Sequence, residues 1–491
     1  MSYDDVLKLA LERGFYFPSC EPYGDAHAGF WEYGPSGVAL KNKFLHLWRR
    51  QMVRRGGMIE IDGSQIMSKS VFEASGHLAG FADPITRCSK CGATFRADRM
   101  IAEECGVEIA EAADPAEFDV AIAENKITCL KCKSPLDAVR RFNMMFQVGI
   151  GPDGEAAYLR PETCQSIFVD FPRLFKTMRG KLPLGIAQVG KSFRNEISPR
   201  QGLLRLREFY QAEIEVFCNP ASLDSILGWE EIADVMITLE IDGTRTETTC
   251  AMAVESALVP NRMMAFYFGL LADFYKKTGV DMKKSRFRRL GEKERAFYAE
   301  SAFDFEIETD IGWLELVACN YRSAHDLKSH AAKSKEKFEV MDGEEKVLPH
   351  VFEISMGIDR SLYTMLEFGL HTELLKNDGK ESERTLLSLK PYLAPFQVAV
   401  LSLIKKDGLR EKADQIHIRL RRNFDAFVDH SGAIGRRYRR QDEIGTPYAI
   451  TVDHQTKEDG TVTLRERDTM DQKRISIDDL ETVLSTSTAF P

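Results

Sequence analysis

The sequence predicts a mixed α/β protein built from more than one domain, and three observations carry that prediction. Residues 187–216 place two apolar-rich segments, Ala187–Val189 and Phe209–Val216, on either side of an arginine-bearing loop, the pattern of an amphipathic hairpin. Phe303 to Arg322 alternates strongly and reads as two strands around Gly312. After Pro391 strand-like and helix-like segments alternate, which marks an α/β domain of about 100 residues. A chain of 491 residues has room for two to four domains and a large core.

The remaining elements follow in order. Residues 4–13 have the pattern of a short amphipathic helix, and Val38 to Val53 carries Leu40, Phe44, Leu47 and Trp48 at helical spacing. Met58 to Ile61 reads as a strand leaving that helix, a pair that could serve as a dimer seam or be buried within one chain. Asp242-Gly243 marks a polar hairpin and Asn261 to Lys277 a helix, followed by a basic run, Lys283 to Arg289, that is either a polyanion contact or a solvated face. His350 to Arg360 runs from strand to helix, with a stop at Gly369, and Asn377 to Ser382 reads as loop. In the last domain the pattern gives a strand at Val398–Leu403, a helix at Leu409–Phe424, and strands at Tyr448–Val452 and Val462–Arg467.

Charged residues at 29% and hydrophobic ones at 44% describe an ordinary globular chain. The net charge of −9 removes any global electrostatic argument for nucleic acid, so such a partner must bind a local patch. Sixteen Lys/Arg balance sixteen Asp/Glu in residues 391–491, and there the patch candidate is Arg436, Arg437, Arg439 and Arg440 around Tyr438, with a surface helix cap as the alternative. The acidic amino terminus lacks a secretory signal pattern, and no apolar run approaches membrane-spanning length. The reading is cytoplasmic, with no membrane partner and reduced thiols. Among ten cysteines, Cys88-x-x-Cys91 and Cys129-x-x-Cys132 have the spacing of a four-sulfur structural zinc site, against free core cysteines or redox use.

The hairpin carries the chemistry. Phe209, Gln211, Glu213 and Glu215 share one strand face beside a loop bearing Arg194, Arg200, Arg205 and Arg207. Planar guanidinium forks suit phosphate oxygens and an aromatic ring suits a flat base, while the bland alternative is a hairpin with a solvated loop. Glu162, within Leu159-Arg-Pro-Glu-Thr163, is a carboxylate in apolar surroundings that needs a structural partner or a ligand's cation. Glu353 on a strand and Arg360 at a helix start point into one end of a sheet. No P-loop and no GxGxxG between strand and helix is present, so ATP, if bound, is held in another way.

Phe193-Arg194-Asn195-Glu196 through Glu213 resembles motif 2 of the class II aminoacyl-tRNA synthetases, and Gly357-Ile358-Asp359-Arg360 resembles their motif 3. The wider signature, LRPET at 159–163, GKSFRNEISPRQG at 190–202, REFYQAEIE at 207–215 and TLRERD at 463–468, is similar to the glycyl-tRNA synthetase family of archaea and eukaryotes. The resemblance implies an antiparallel-sheet catalytic domain over 1–385, with a zinc-ribbon-like insertion at 85–140 and a mixed insertion at 221–300, and an α/β anticodon-binding domain over 386–491. It implies ATP-dependent joining of glycine to tRNA(Gly) for protein synthesis by a homodimer that uses Mg²⁺ and carries structural zinc.

The resemblance also implies roles. Arg194 grips the α-phosphate, Phe209 and Arg360 sandwich the adenine, Glu196 accepts from its amino group, and Arg205 reaches the terminal phosphates. Asn195, Leu206 and Leu316 belong to the same ATP site, and Glu315 helps hold Mg²⁺. Glu162, Glu213 and Glu353 receive the glycine ammonium, Arg322 the carboxylate end, and Ser355 fills the space a side chain would take. Arg436, Arg437, Arg465 and Arg467 are the expected tRNA contacts. The chain departs from the family where motif 1 has no proline in Asp62–Ser68, where Asn320-Tyr321 replaces a small-acidic pair before Arg322, and where RPETCQS replaces RPETAQG. A silent nucleic-acid-binding paralogue and a ligase for alanine or serine are the competing readings.

Overall fold

The computed structural model describes the chain except residues 111–112, 198, 200, 293, 296–297 and 378–379, together with the side chains of 376–380. Arg200, one of the loop arginines singled out above, therefore lies outside the described residues.

The main sheet has nine strands. In chain order they are β1 (Ile59–Ile61), β2 (Leu184–Phe193), β3 (Glu208–Cys218), β4 (Met236–Ile241), β5 (Thr244–Thr249), β6 (Ser285–Arg289), β7 (Ser301–Thr309), β8 (Gly312–Ser323) and β9 (His350–Gly357). Across the sheet the order is β5-β4-β6-β7-β8-β9-β3-β2-β1. All neighbours are antiparallel except β1 with β2 and β4 with β6. The hairpin expected at 187–216 is β2 and β3, and the alternating stretch Phe303–Arg322 is β7 and β8 turning at Gly312.

Alternation on β3 sends its residues to two different layers. Ala212, Ile214 and Val216 enter the large core beneath helices α1 (Pro35–Trp48), α3 (Arg262–Thr278) and α5 (Ile358–Gly369). The opposite face passes from Phe209 through Gln211, Glu213 and Glu215 to Phe217. Phe217 stacks on Phe171, with ring centroids 4.0 Å apart, in a second core formed by helix α2 (Cys164–Thr177) with Leu327 of helix α4 (His325–Ser334). One strand face therefore carries polar side chains held between an aromatic residue at each end.

The sheet absorbs residues 221–300 more fully than an insertion requires. Within the basic run Lys283–Arg289, Lys283 and Lys284 are exposed, whereas Arg286 pairs with Glu240 and Glu306, and Arg288 with Glu294 and Glu306, from strand β6. Helix α3 is apolar nearly all round because it lies between the sheet and α1, with Phe268 stacked on Phe287 at 4.4 Å. The predicted Val38–Val53 helix begins earlier, with Pro35 in its first turn, and closes in a π-helical turn over Arg49–Arg54. Of the stretch expected as a loop at Asn377–Ser382, residues 377 and 380–382 belong to two paired strands, Leu370–Asn377 and Lys380–Leu387, and 378–379 lie outside the described residues.

Residues after 397 form a separate five-stranded sheet, ordered Ala426–Asp429, Val398–Ser402, Tyr448–Val452, Thr461–Glu466, Gln472–Ser476. Its first three strands are parallel and the last two antiparallel. Helix Leu409–Leu420 covers the Val398/Val400 face, and Ile434 and Tyr438 of helix Ile434–Ile444 cover the Ala399/Leu401 face.

Candidate active site

A cavity of about 620 Å³ opens at the β3/β9/β8 end of the sheet. Its lining includes Glu162, Arg194, Glu196, Arg205, Leu206, Phe209, Glu213, Glu315, Leu316, Glu353, Ser355 and Arg360, residues spread over nearly 200 positions of chain. Asn195 and Arg322 lie outside the lining. The Asn195 N–H donates to the Met144 carbonyl at 2.8 Å.

The inner end is a buried carboxylate cluster set by strand register. Glu213 stands opposite Ser355, and Glu215 opposite Glu353. Glu213 accepts from Ser355 Oγ at 2.7 Å, Gln211 Nε2 at 3.1 Å and Thr163 Oγ1 at 2.6 Å. Glu353 accepts from Arg322 Nη1 at 3.0 Å and Asn320 Nδ2 at 2.7 Å. Glu162 accepts from Gln165 Nε2 at 2.8 Å and Cys164 Sγ at 3.0 Å, and His77 Nε2 lies 3.4 Å away. Both Glu215 oxygens are buried without a hydrogen-bond partner among the described residues.

Burial dominates the charge state of this cluster. It pushes the Glu353 carboxyl up to about 7, against the pull of Arg322 and with Glu213 adding to the rise. Burial and the neighbouring Glu162 raise Glu213, and burial with Glu353 raises Glu215 well above the ordinary range. Burial opposes ionisation of Glu162 too, but the His77 ring and Arg322 hold it well below the usual carboxylate value. Such a group of acids is incomplete without a cation.

Arg322 is that cation only in part. Its Nε and Nη2 make two 2.7 Å bonds to Asp326, Nη1 goes to Glu353, and the Tyr298 ring lies 3.9 Å from its guanidinium carbon. This buried arrangement fits a counter-ion of Glu353 rather than an open receptor for a ligand's carboxylate.

The outer end is built from the β2–β3 loop and the start of α5. Arg194 donates Nε to the Pro161 carbonyl at 3.0 Å, and its guanidinium lies 5.3 Å from the Phe209 ring centroid. Arg205 Nε donates to Glu196 Oε2 at 2.8 Å, so two residues given separate partners by the family resemblance bond each other here. Arg207 braces the loop by donating to the Glu196 and Ala28 carbonyls. Arg360 Nη1 donates to the Glu315 carbonyl at 3.0 Å, with Glu315 Oε2 at 3.5 Å, while Nε reaches the Leu204 carbonyl at 3.3 Å. Preceding it, Asp359 accepts from the Tyr210 N–H at 2.6 Å and from the Tyr33 hydroxyl, which ties α5 to β3. Burial, Glu315 and Glu306 push Asp304 up to about 7, marking an acidic corner that a divalent cation would relieve.

Away from the cavity, Cys88, Cys91, Cys129 and Cys132 bring four sulfurs within 4.8 Å of one another, with Cys88–Cys132 at 3.4 Å and Cys91–Cys129 at 3.6 Å. A tetrahedral Zn–S bond of ~2.3 Å requires edges of about 3.8 Å, so the donor set fits the ion. The Ser134 hydroxyl and N–H draw the Cys132 thiol down to about 6, toward the thiolate a metal needs. The two pairs are joined through a small core of Met100, Ile101, Phe118 and Val139.

The C-terminal arginines require a correction. Arg437 is 2% exposed and its guanidinium donates to the Ser402, Leu403 and Asp429 carbonyls, pinning its helix to the sheet. Arg465 is 7% exposed and forks onto Asp442 at 2.9 and 3.2 Å. Arg467 is 2% exposed and donates to the Gly445 and Leu389 carbonyls. Arg384, from the hairpin before this domain, also bonds Asp442 and the Arg467 carbonyl. These three expected tRNA contacts are thus internal ties, and only Arg436 of the four is exposed. Arg440 is held by Asp429, whereas Arg439 is exposed.

Residues 146–369 match the family described as the tRNA synthetase class II core domain (G, H, P, S and T), and residues 397–487 match the anticodon binding domain family. Among solved structures, the fold is similar to a threonyl-tRNA synthetase RNA-binding-domain structure from Cryptosporidium parvum, at TM-score 0.60 and 18% identity, covering 99% of this chain and 98% of that one. A Giardia lamblia prolyl-tRNA synthetase in complex with prolyl-adenylate gives TM-score 0.59 at 14% identity, covering 99% and 78%. The fold and the matched core define a class II aminoacyl-tRNA synthetase.

Curated sequences narrow the class. A glycine–tRNA ligase of Methanothrix thermoacetophila is 39% identical, covering 97% of this chain and 95% of its own. One from Clostridium perfringens is 38% identical, covering 99% and 98%, and one from Pyrococcus furiosus is 36% identical, covering 97% of each. The chain belongs to the glycine–tRNA ligase family.

Sequence reasoning gave no site role to Thr163, His77, Gln211, Asn320 or Asp326, all of which bond the cluster or its counter-ion. Thr163 lay inside the LRPET motif, Gln211 on the Glu213 strand face, and Asn320 was noted as a departure from the family pattern, but His77 and Asp326 have no local signal. The corrected arginines make a direct test. Arg437→Glu places a carboxylate among three carbonyl oxygens and is expected to cost about 3–5 kcal/mol, seen as a lower melting transition and protease sensitivity after residue 390. Arg436→Glu should leave the melt unchanged. Selective loss of RNA binding in Arg437→Glu at an unaltered melt would contradict the correction.

Proposed function

We propose that the chain activates glycine with ATP and transfers the glycyl group to tRNA(Gly) in protein synthesis. The observation that carries this is one cavity holding Glu162, Glu213 and Glu353 beside Arg194 and Phe209, an ammonium receptor against an arginine-aromatic cleft. A glycine carboxylate oxygen attacks the α-phosphorus, the O–P bond forms and pyrophosphate leaves. A terminal ribose hydroxyl then attacks the acyl carbon and AMP leaves. Neither step needs a protein nucleophile, so orientation and positive charge carry the rate.

In this reading Arg194 holds the α-phosphate, Phe209 and Arg360 sandwich the adenine, and Glu196 with Arg205 exchange their mutual bond for contacts to the nucleotide. Leu206 and Leu316 wall the nucleotide, and Asn195 holds the loop. Glu315, with Asp304 behind it, would hold Mg²⁺, which supplies charge neutralisation on the phosphates. Glu162, Glu213 and Glu353 receive the ammonium, Arg322 steadies Glu353, and Ser355 sets the wall facing Cα. Selecting glycine by excluding extra atoms in a packed site requires no editing step. Residues 1–385 serve as the catalytic part and 386–491 as the anticodon-binding part. A cytoplasmic homodimer is the working assembly in this reading, and among the described residues no helix is long and apolar enough to cross a membrane.

Exchange of labelled pyrophosphate into ATP across a panel of amino acids tests the reading. Exchange with glycine and not with alanine or serine is expected, while no exchange with any amino acid, or preference for serine, would overturn it. The four cysteines should hold one zinc per chain. Elemental analysis checks this, with Cys129→Ser or chelation lowering the melting temperature, and protein free of zinc with an unchanged melt would remove the metal.

A further inference from the structure

Strand β8 runs along the ammonium receptor beside β9. Asn320 stands opposite Glu353, and Ala318 opposite Ser355, so the Asn320 side chain lies on the cavity face and lines it. Its Nδ2 donates to Glu353 Oε2 at 2.7 Å, while Arg322 holds Oε1 from the other side. The two oxygens of Glu353 are thus held by one neutral and one cationic donor.

We propose that Asn320 is a positioning residue of the glycine pocket, whose amide orients Glu353 and favours its anionic form as the ligand's ammonium arrives.

The chemistry of the alternatives supports this. Arg322 spends two of its bonds on Asp326, so its charge is shared and cannot by itself offset Glu353. A lysine at 320 would fill the cation's place, an aspartate would add another acid, and an alanine would leave Oε2 without its neutral donor. The groups around Glu353 are Arg322 from β8, Glu213 and Glu215 from β3, Glu162 from the loop before α2, and the Tyr298 and Cys319 side chains. Burial and the acids raise the carboxyl toward 7, whereas Arg322 and the Asn320 amide lower it. An acceptor of an ammonium must be ionised, so glycine affinity is gained as pH rises through that value. Losing the amide moves this limb to higher pH.

The proposal rests on the glycine-activating reading, and the test separates the two. Glycine-dependent pyrophosphate exchange is measured from about pH 6 to pH 9 in the full chain and in Asn320→Ala and Asn320→Asp, with direct glycine titration by calorimetry beside it. Asn320→Ala should raise the glycine KM roughly tenfold at about pH 7, leave the ATP KM unchanged, and recover much of the loss at the alkaline end. Asn320→Asp keeps the shape but reverses the hydrogen-bonding role, and should lose more. An Asp variant equal to wild type would assign the residue to shape alone and overturn the proposal, as would a pH-independent loss or an equal rise in the ATP KM. Absence of exchange and of glycine binding in the unsubstituted chain would instead defeat the activity itself.

Discussion

Glu215 and Glu353 face each other on neighbouring antiparallel strands, two register pairs along from Glu213 and Ser355. Carboxylates this close and this buried repel one another and lose their hydration, a combination a protein supports only where the surrounding structure is strongly over-determined. Here the determination comes from both sides of the sheet. The apolar alternates Ala212, Ile214 and Val216 anchor β3 in the main core, and Phe217 stacked on Phe171 anchors its polar face in the second. The register cannot slip by one residue without turning those anchors and the acids to opposite faces.

The same hairpin joins two recognition problems. Phe209 and Arg194 at its tip form an aromatic-cationic surface, and Glu213 two turns of the pleat away lies in the acidic cluster. The tip is tied to its neighbours by Asp359, which bonds the Tyr210 N–H and the Tyr33 hydroxyl. In the proposed reading, nucleotide and amino acid are fixed relative to one another by this backbone pairing, which is what an in-line displacement between them requires.

Local patterning made much of this legible. Alternation ended by a turn signal located β2, β3, β7 and β8, and an apolar stripe after Gly357 located α5, because those signals lie within a few residues of one another. Nonlocal pairing was not legible: β4 lies parallel to β6 across more than forty residues, so a segment that reads as an insertion forms the far side of the main sheet. Charge was legible and its burial was not. Arg436 and Arg437 are adjacent in sequence, yet one faces solvent and the other ties a helix to three carbonyls. Asn320 was visible only as a departure from a familiar pattern, and its partner Glu353 lies on a different strand.

Burial raises Glu213, Glu215 and Glu353, so these acids keep protons more readily until a cation arrives. Glycine binding should therefore release protons near neutral pH, because the ammonium lowers the carboxyls that burial has raised, Glu353 from about 7 first among them. Calorimetric titration of glycine in two buffers of different ionisation enthalpy reads this directly. The account predicts net proton release at about pH 7 that fades toward about pH 9, and glycine binding with no proton exchange across that range would contradict it.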